Sequence, residues 1–138
     1  MRAPCPCGQK KTYMQCCRRL LTTKDVAKTA EALMRSRYTA FVKHDAKYLA
    51  RTVSGPAAKI EQSPITFNRG IEWDHLEIHQ VIHGQENDAR GEVEFTAFYR
   101  IVSQPNQVLR QYEHSLFEKH DGQWFYVGAR PENVSSRE

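Results

Sequence analysis

The chain has 138 residues, with 20 Lys and Arg against 16 Asp and Glu, a formal charge of +4, and 40% apolar side chains. That length supplies one hydrophobic core rather than two. No apolar run reaches the roughly 20 residues of a membrane-spanning helix, so a soluble protein with no membrane partner is expected.

All four cysteines lie within the first 17 residues, as Cys5-Pro6-Cys7, eight intervening residues, and Cys16-Cys17. In an extended strand the side chains at i and i+2 point the same way, and a turn of that length can bring the adjacent pair back to them. This suits one tetrahedral Zn(2+) per chain, held by four thiolates at about 2.3 Å with no open position, and therefore structural. Two disulfides are the alternative. So few cysteines, with no apolar secretory segment at Met1-Arg2-Ala3-Pro4, favour a reducing, cytoplasmic setting instead. The spacings exclude a redox Cys-x-x-Cys pair. Adjacent side chains diverge by about 100° where the chain is helical. In that case one of Cys16 and Cys17 is a bystander, and water or a histidine takes the fourth place.

Residues 1–25 carry six Lys and Arg against Asp25 alone, whereas the remaining 113 residues carry 14 basic and 15 acidic groups. The charge excess of the chain thus resides at the cysteine cluster. Lys10, Lys11, Arg18 and Arg19 are candidate partner-binding residues, for an acidic protein surface or for nucleic acid phosphates. Balancing the negative zinc–thiolate centre is their alternative role.

Residues 18–23 read as a short connector. From Val26 to Val42, apolar residues Val26, Ala30, Leu33, Met34, Tyr38, Phe41 and Val42 recur at helical spacing, with Thr23 or Asp25 available as the cap. At 100° per residue Arg37 falls in the middle of this stripe and Arg35 on the opposite, solvent side. A shorter helix follows from Ala46 to about Thr52, entered by Asp45 and broken at Gly55-Pro56. A helical turn around Ala57–Glu61 and a loop at Ser63-Pro64 lead into a change of period. Leu76, Ile78 and Ile82 alternate with polar residues, and Ala89, Gly91, Val93, Phe95, Ala97, Tyr99 and Ile101 form one face of a long strand. Val108–Glu118 and Gln123–Gly128 read as two more strands. The short links Gly84–Asp88, Ser103–Asn106 and His120–Gly122 predict a four-stranded antiparallel meander. Helices first and strands afterwards indicate an α+β domain, with a curved sheet wrapped over the long helix.

A guanidinium in an apolar stripe needs a carboxylate or several carbonyls. Leu109, Glu113, Ser115 and Phe117 share one face of the third strand, which makes Glu113 the candidate partner of Arg37. The pair is expected to be a framework contact. The alternative is a ligand-binding or active pocket built from Arg37, Tyr38, Glu113, Ser115 and a tryptophan, Trp124, with Glu113 as a general base and Arg37 holding an anionic group. No catalytic residue is assigned. The six histidines are expected at the surface: His75, His79 and His83 span ~26 Å in a strand, too far for one metal.

Cys5-Pro6-Cys7-Gly8, then Lys10-Lys11-x-Tyr13-x-x-Cys16-Cys17, resembles the SEC-C motif, the zinc knuckle at the C-terminus of the translocase ATPase SecA, with Gln9 in place of the usual Ser-Gly pair. Leu33-Met34-Arg35-Ser36-Arg37-Tyr38-x-Ala40-Phe41 and Gly122-Gln123-Trp124-Phe125-Tyr126-Val127 are similar to the YchJ-like family of small bacterial proteins. The resemblance spans essentially the whole chain. It implies a SEC-C knuckle over residues 1–22, a nuclear transport factor 2-like cone over 23–131 and a flexible tail over 132–138. Many members carry a second knuckle near the C-terminus, and Pro131–Glu138 contains no cysteine. In SecA the knuckle docks a chaperone and the ribosome, so the resemblance implies an interaction protein with a protein or ribonucleoprotein partner. A ligand-binding cone and nucleic-acid binding through the knuckle are the competing expectations.

Overall fold

A computed structural model describes residues 3–60 and 67–131. The readings for Glu61, for the loop at Ser63-Pro64 and for the tail 132–138 lie outside the described residues. Four helices, α1 (Cys17–Thr22), α2 (Ala30–Lys43), α3 (Ala46–Arg51) and α4 (Gly55–Ile60), precede four strands, β1 (Ile71–His83), β2 (Arg90–Ile101), β3 (Gln104–His120) and β4 (Gln123–Ala129). The strands form one antiparallel meander in the order β1-β2-β3-β4. This is the expected α+β architecture.

The alternation in β2 decides which face of the sheet is wet. Gly91, Val93, Phe95 and Ala97 are buried while Glu92 and Glu94 between them are only half-buried. Register shifts at Trp73/His75 and Ile78/Gln80 in β1, at Arg100/Ile101 and at Leu116/Phe117 interrupt the ladders. Such bulges bend strands and increase their twist. The sheet curves round α2, whose Leu33, Met34, Arg37 and Tyr38 are buried.

α2 begins four residues later than the apolar spacing predicts. Thr29 is its N-cap, accepting from the Ala32 amide at 3.0 Å, and the Ala30 amide donates to the Gly84 carbonyl at 2.9 Å. Val26 stands exposed, while Ala27 is buried without being helical. The contact with Gly84 requires small residues on both sides. A Cβ at Gly84, where φ is +75°, would meet Ala30 Cβ at 2.7 Å, and one at Gly91 would meet Gly84 Cα at 2.4 Å.

Residues 18–23 are not a connector: Cys17–Thr22 is a helical turn that buries Leu20 and Leu21. Its exposed carbonyls are satisfied from α3, because the Arg51 guanidinium donates to Leu20 O at 3.1 Å and Leu21 O at 3.2 Å. Asp45 caps α3 as expected, accepting from the Tyr48 amide. Gly55-Pro56 does not merely end a helix; it opens α4. β1 starts at Ile71 rather than near Leu76, and the β2–β3 link shrinks to Val102-Ser103 because β3 already pairs at Gln104.

Most of the buried apolar side chains among the described residues form one cluster. Leu33, Leu49, Val93, Phe117 and Trp124 belong to it, and so do Cys5, Cys7, Cys17, Leu20 and Leu21.

Candidate metal centre and cone pocket

Backbone hydrogen bonds shape the cysteine knuckle. Pro4 and Thr12 bridge antiparallel, the Cys5 amide donates to Lys11 O, and the Cys16 and Arg18 amides both donate to Tyr13 O. Gly8 closes the turn after Cys7 at φ +90°, a left-handed conformation that favours glycine. The Sγ atoms of Cys5, Cys7, Cys16 and Cys17 all lie within 4.8 Å of one another. Cys7 and Cys16 are 3.6 Å apart and Cys16 and Cys17 3.9 Å. Four sulfurs at about 2.3 Å from a tetrahedral ion sit roughly 3.8 Å from each other, whereas a disulfide needs about 2.05 Å. The thiols are free and their spacing fits a metal. Adjacent Cys16 and Cys17 both reach the cluster because Cys16 is the non-helical N-cap of α1 and Cys17 its first helical residue.

The buried thiols of Cys5, Cys7 and Cys17 influence one another. Hydrogen bonds from Cys17, then Cys7, hold the Cys5 thiol far below its ordinary range, while Cys5, Cys7 and burial push Cys17 far above it. A divalent cation would compensate the charge of thiolates packed this closely.

α2 grips the knuckle. Thr39 Oγ1 lies 3.8 Å from Cys5 Sγ, and Lys43 Nζ sits 4.4 Å above the Tyr13 ring. Arg35 does not face solvent as the helical wheel predicts. Its guanidinium donates to the Cys7 carbonyl and, at 2.9 Å, to Glu31. Lys10, Lys11, Arg18 and Arg19 are all exposed, and Arg19 pairs with Asp25 at 3.2 Å. Met14, between Lys11 and Arg18 in the chain, is 54% exposed.

The second predicted site is a cavity of about 210 Å³ between α2 and the sheet. Arg37, Tyr38, Glu113 and Ser115 line it. Trp124 does not. Its indole is buried and donates to Lys28 O at 3.2 Å, and it borders a separate cleft with Leu21, Asp25 and Arg51. Trp73 is the tryptophan of the cavity.

The expected Arg37–Glu113 framework pair is also replaced. Arg37, 3% exposed, donates to Leu49 O at 3.0 Å and Thr52 Oγ1 at 2.7 Å and lies 4.9 Å over the Tyr126 ring. Glu113 accepts from Tyr126 at 2.6 Å and Ser115 at 2.8 Å. Tyr126 therefore joins the two charges, its face to the cation and its hydroxyl to the carboxylate. Sequence reasoning missed it. The alternation of β4 places Trp124 and Tyr126 on one face, but only the register with Phe117 shows that Tyr126 reaches the cavity. His114 departs from the expected surface position, since it is half-buried and bonded to Glu92 at 2.7 Å.

A four-thiol knuckle seated on the long helix of a cone-shaped α+β domain defines a SEC-C-type protein with a nuclear transport factor 2-like body. The family model described as "YchJ, middle NTF2-like domain" matches residues 29–129, beginning at the cap of α2. A UPF0225 protein of Streptomyces coelicolor is 41% identical over 90% of this chain and 92% of its own length. One from Enterobacter is 37% identical, over 93% of this chain and 84% of its own. The chain belongs to this YchJ-like UPF0225 family. The solution structure of a SEC-C motif containing protein from Rhodopseudomonas palustris superposes with a TM-score of 0.78 at 29% identity, covering 91% of this chain and 96% of that one. A SEC-C motif protein from Psychrobacter arcticus, at 24% identity and a TM-score of 0.70 over 92% of this chain and 80% of that one, shares the fold. Among the described residues no helix is long and apolar enough to cross a membrane.

Proposed function

We propose that the knuckle holds one structural Zn(2+) and presents its basic outer side to an acidic surface of a protein or ribonucleoprotein partner. The observation that supports this reading is the knuckle's division into two sides. Three of the four cysteines are buried against α2 and α3, while Lys10, Lys11, Met14 and Arg18 stand outward in solvent. Soft, tetrahedrally spaced thiolates select zinc or iron, and a shell of four leaves no position for substrate. An exposed apolar side chain within a segment rich in exposed cations suits a docking contact in which charge steers the encounter and the apolar residue is buried. Direct stacking on nucleic acid bases has less support. The ring face of Tyr13, the aromatic residue of the knuckle, is occupied by Lys43.

Two measurements test this. Metal analysis should find one zinc per chain; much less, with free thiols, removes the metal half of the reading. Affinity capture at increasing salt, with wild type and the Lys10→Glu/Lys11→Glu/Arg18→Glu variant, addresses the docking half. Partners should be lost from the variant while zinc content and melting temperature stay unchanged. Retention of the same partners by the variant refutes docking through this face, and release by nuclease treatment transfers it to nucleic acid.

A further inference from the structure

The cavity between α2 and the sheet has a composition that the knuckle reading does not use. Its 210 Å³ equals roughly seven waters at about 30 Å³ each, so it suits a compact ligand of about one ring. Tyr38, Phe41, Trp73 and Tyr126 give it aromatic walls, and Glu113 supplies a carboxylate. Both protein contacts of Glu113 fall on Oε2. Among the described residues Oε1 has no hydrogen-bond partner, and neither has the hydroxyl of Tyr38, a residue only 4% exposed. Glu113 is half-buried, whereas the buried Tyr38 hydroxyl lacks a partner where an unsatisfied polar atom is costly. Arg37 gives neither of them a hydrogen bond; it donates to Leu49 O and Thr52 and lies over the face of Tyr126.

We propose that the cavity binds a small organic cation, an amidinium or primary ammonium carried on a single apolar ring. Its N–H groups meet Glu113 Oε1 and the Tyr38 oxygen, and its ring packs on Trp73 and Phe41. Aromatic faces attract cations through their quadrupoles, and a charge-assisted bond to carboxylate is about twice as strong as a neutral one. An anion is repelled by Glu113. A neutral ligand of the same shape forgoes the charge-assisted bond to Glu113.

Benzamidine, benzamide and benzoate have the same shape and differ in charge, so they separate these cases. Titrated into the zinc-loaded full chain and followed by NMR or calorimetry, benzamidine should bind, benzamide about tenfold more weakly, and benzoate not at all. Glu113→Gln should reduce benzamidine to the level of benzamide, and Trp73→Leu should weaken both. The proposal is overturned if benzoate matches benzamidine, if Glu113→Gln leaves benzamidine affinity unchanged, or if wild type shows no benzamidine binding at about 10 mM. Should Glu113→Gln fail to fold, the ranking of the three probes on wild type decides by itself.

Discussion

Residues 3–16 contain one isolated bridge and a series of turns, whereas from Ala30 onward nearly every described residue belongs to a helix or a strand of a four-stranded sheet. The cone has a backbone that satisfies itself and a core of Leu33, Leu49, Val93, Phe117 and Trp124. The knuckle's backbone bonds are turns rather than a sheet, and four sulfurs occupy the place of its core. Yet Cys5, Cys7 and Cys17 belong to the same buried cluster as the cone residues, and Arg35 and Thr39 of α2 contact the cysteines directly. The two regions differ in what holds them and share the surface between them. A metal held by these thiols would therefore be expected to support the fold of its neighbour as well as its own.

The largest expected effect breaks that sharing. Structural zinc contributes about 10–16 kcal/mol in small peptide modules. An autonomous knuckle would unfold over residues 1–20 on chelation and leave the cone intact. With Cys7, Cys17, Leu20 and Leu21 buried against the cone, stripping the metal should lower the melting temperature of the sheet as well, by more than ~10 °C. Calorimetry with and without a chelator measures it; an unchanged main transition would show the regions to be independent.

Next comes the cone's own weak point. Gly91→Ala puts a methyl against the Gly84 backbone and Ala30, which no rotamer change relieves. Overpacking of this kind costs about 1–3 kcal/mol. Denaturant midpoints should fall accordingly while the metal content stays that of the wild type. Thr29→Ala, which removes the cap of α2, should cost about 1 kcal/mol. Because α2 carries Arg35 and Thr39, the same variant should also speed zinc loss to a competing chelator, and an unaltered loss rate would argue that the knuckle holds its metal without help from the helix.

Much of this was legible in the chain. Four cysteines have few uses in so short a segment, and the period-2 pattern of β2 and the turn residues between strands dictate the meander. Arg37 was recognisable as a buried cation from its place on the helix. What remained hidden depended on register and on contacts distant in sequence. The periodicity from Val26 continues through Ala30, so nothing local reveals that the Gly84 carbonyl and the Thr29 cap start the helix later. Arg35 looks solvent-facing on a wheel that omits the knuckle. Tyr126 reaches Glu113 only through the β3–β4 pairing, and Trp73 displaces Trp124 from the cavity because β1 extends back to Ile71.

The smallest expected effect concerns the outer side of the sheet, where the knuckle has no influence. Burial raises the Glu92 carboxyl, but hydrogen bonds from His114 and Arg130 outweigh it and hold the group below its ordinary value. A carboxyl with a lowered folded value stabilises the fold fully above the unfolded value of about 4.3 and loses that contribution as pH falls through the folded one. The group is partly exposed, so the contribution is that of a surface network, ~0.2–1 kcal/mol. Glu92→Gln should therefore lower the melting temperature slightly at pH 7 and flatten its decline between pH 5 and 3. Zinc–thiolate ligation is also lost on acidification, as the thiols reprotonate. Comparing the two proteins after chelation separates these contributions. If the flattening persists without metal, the acid response of the cone is its own; if it vanishes, the loss of stability in acid is transmitted from the knuckle.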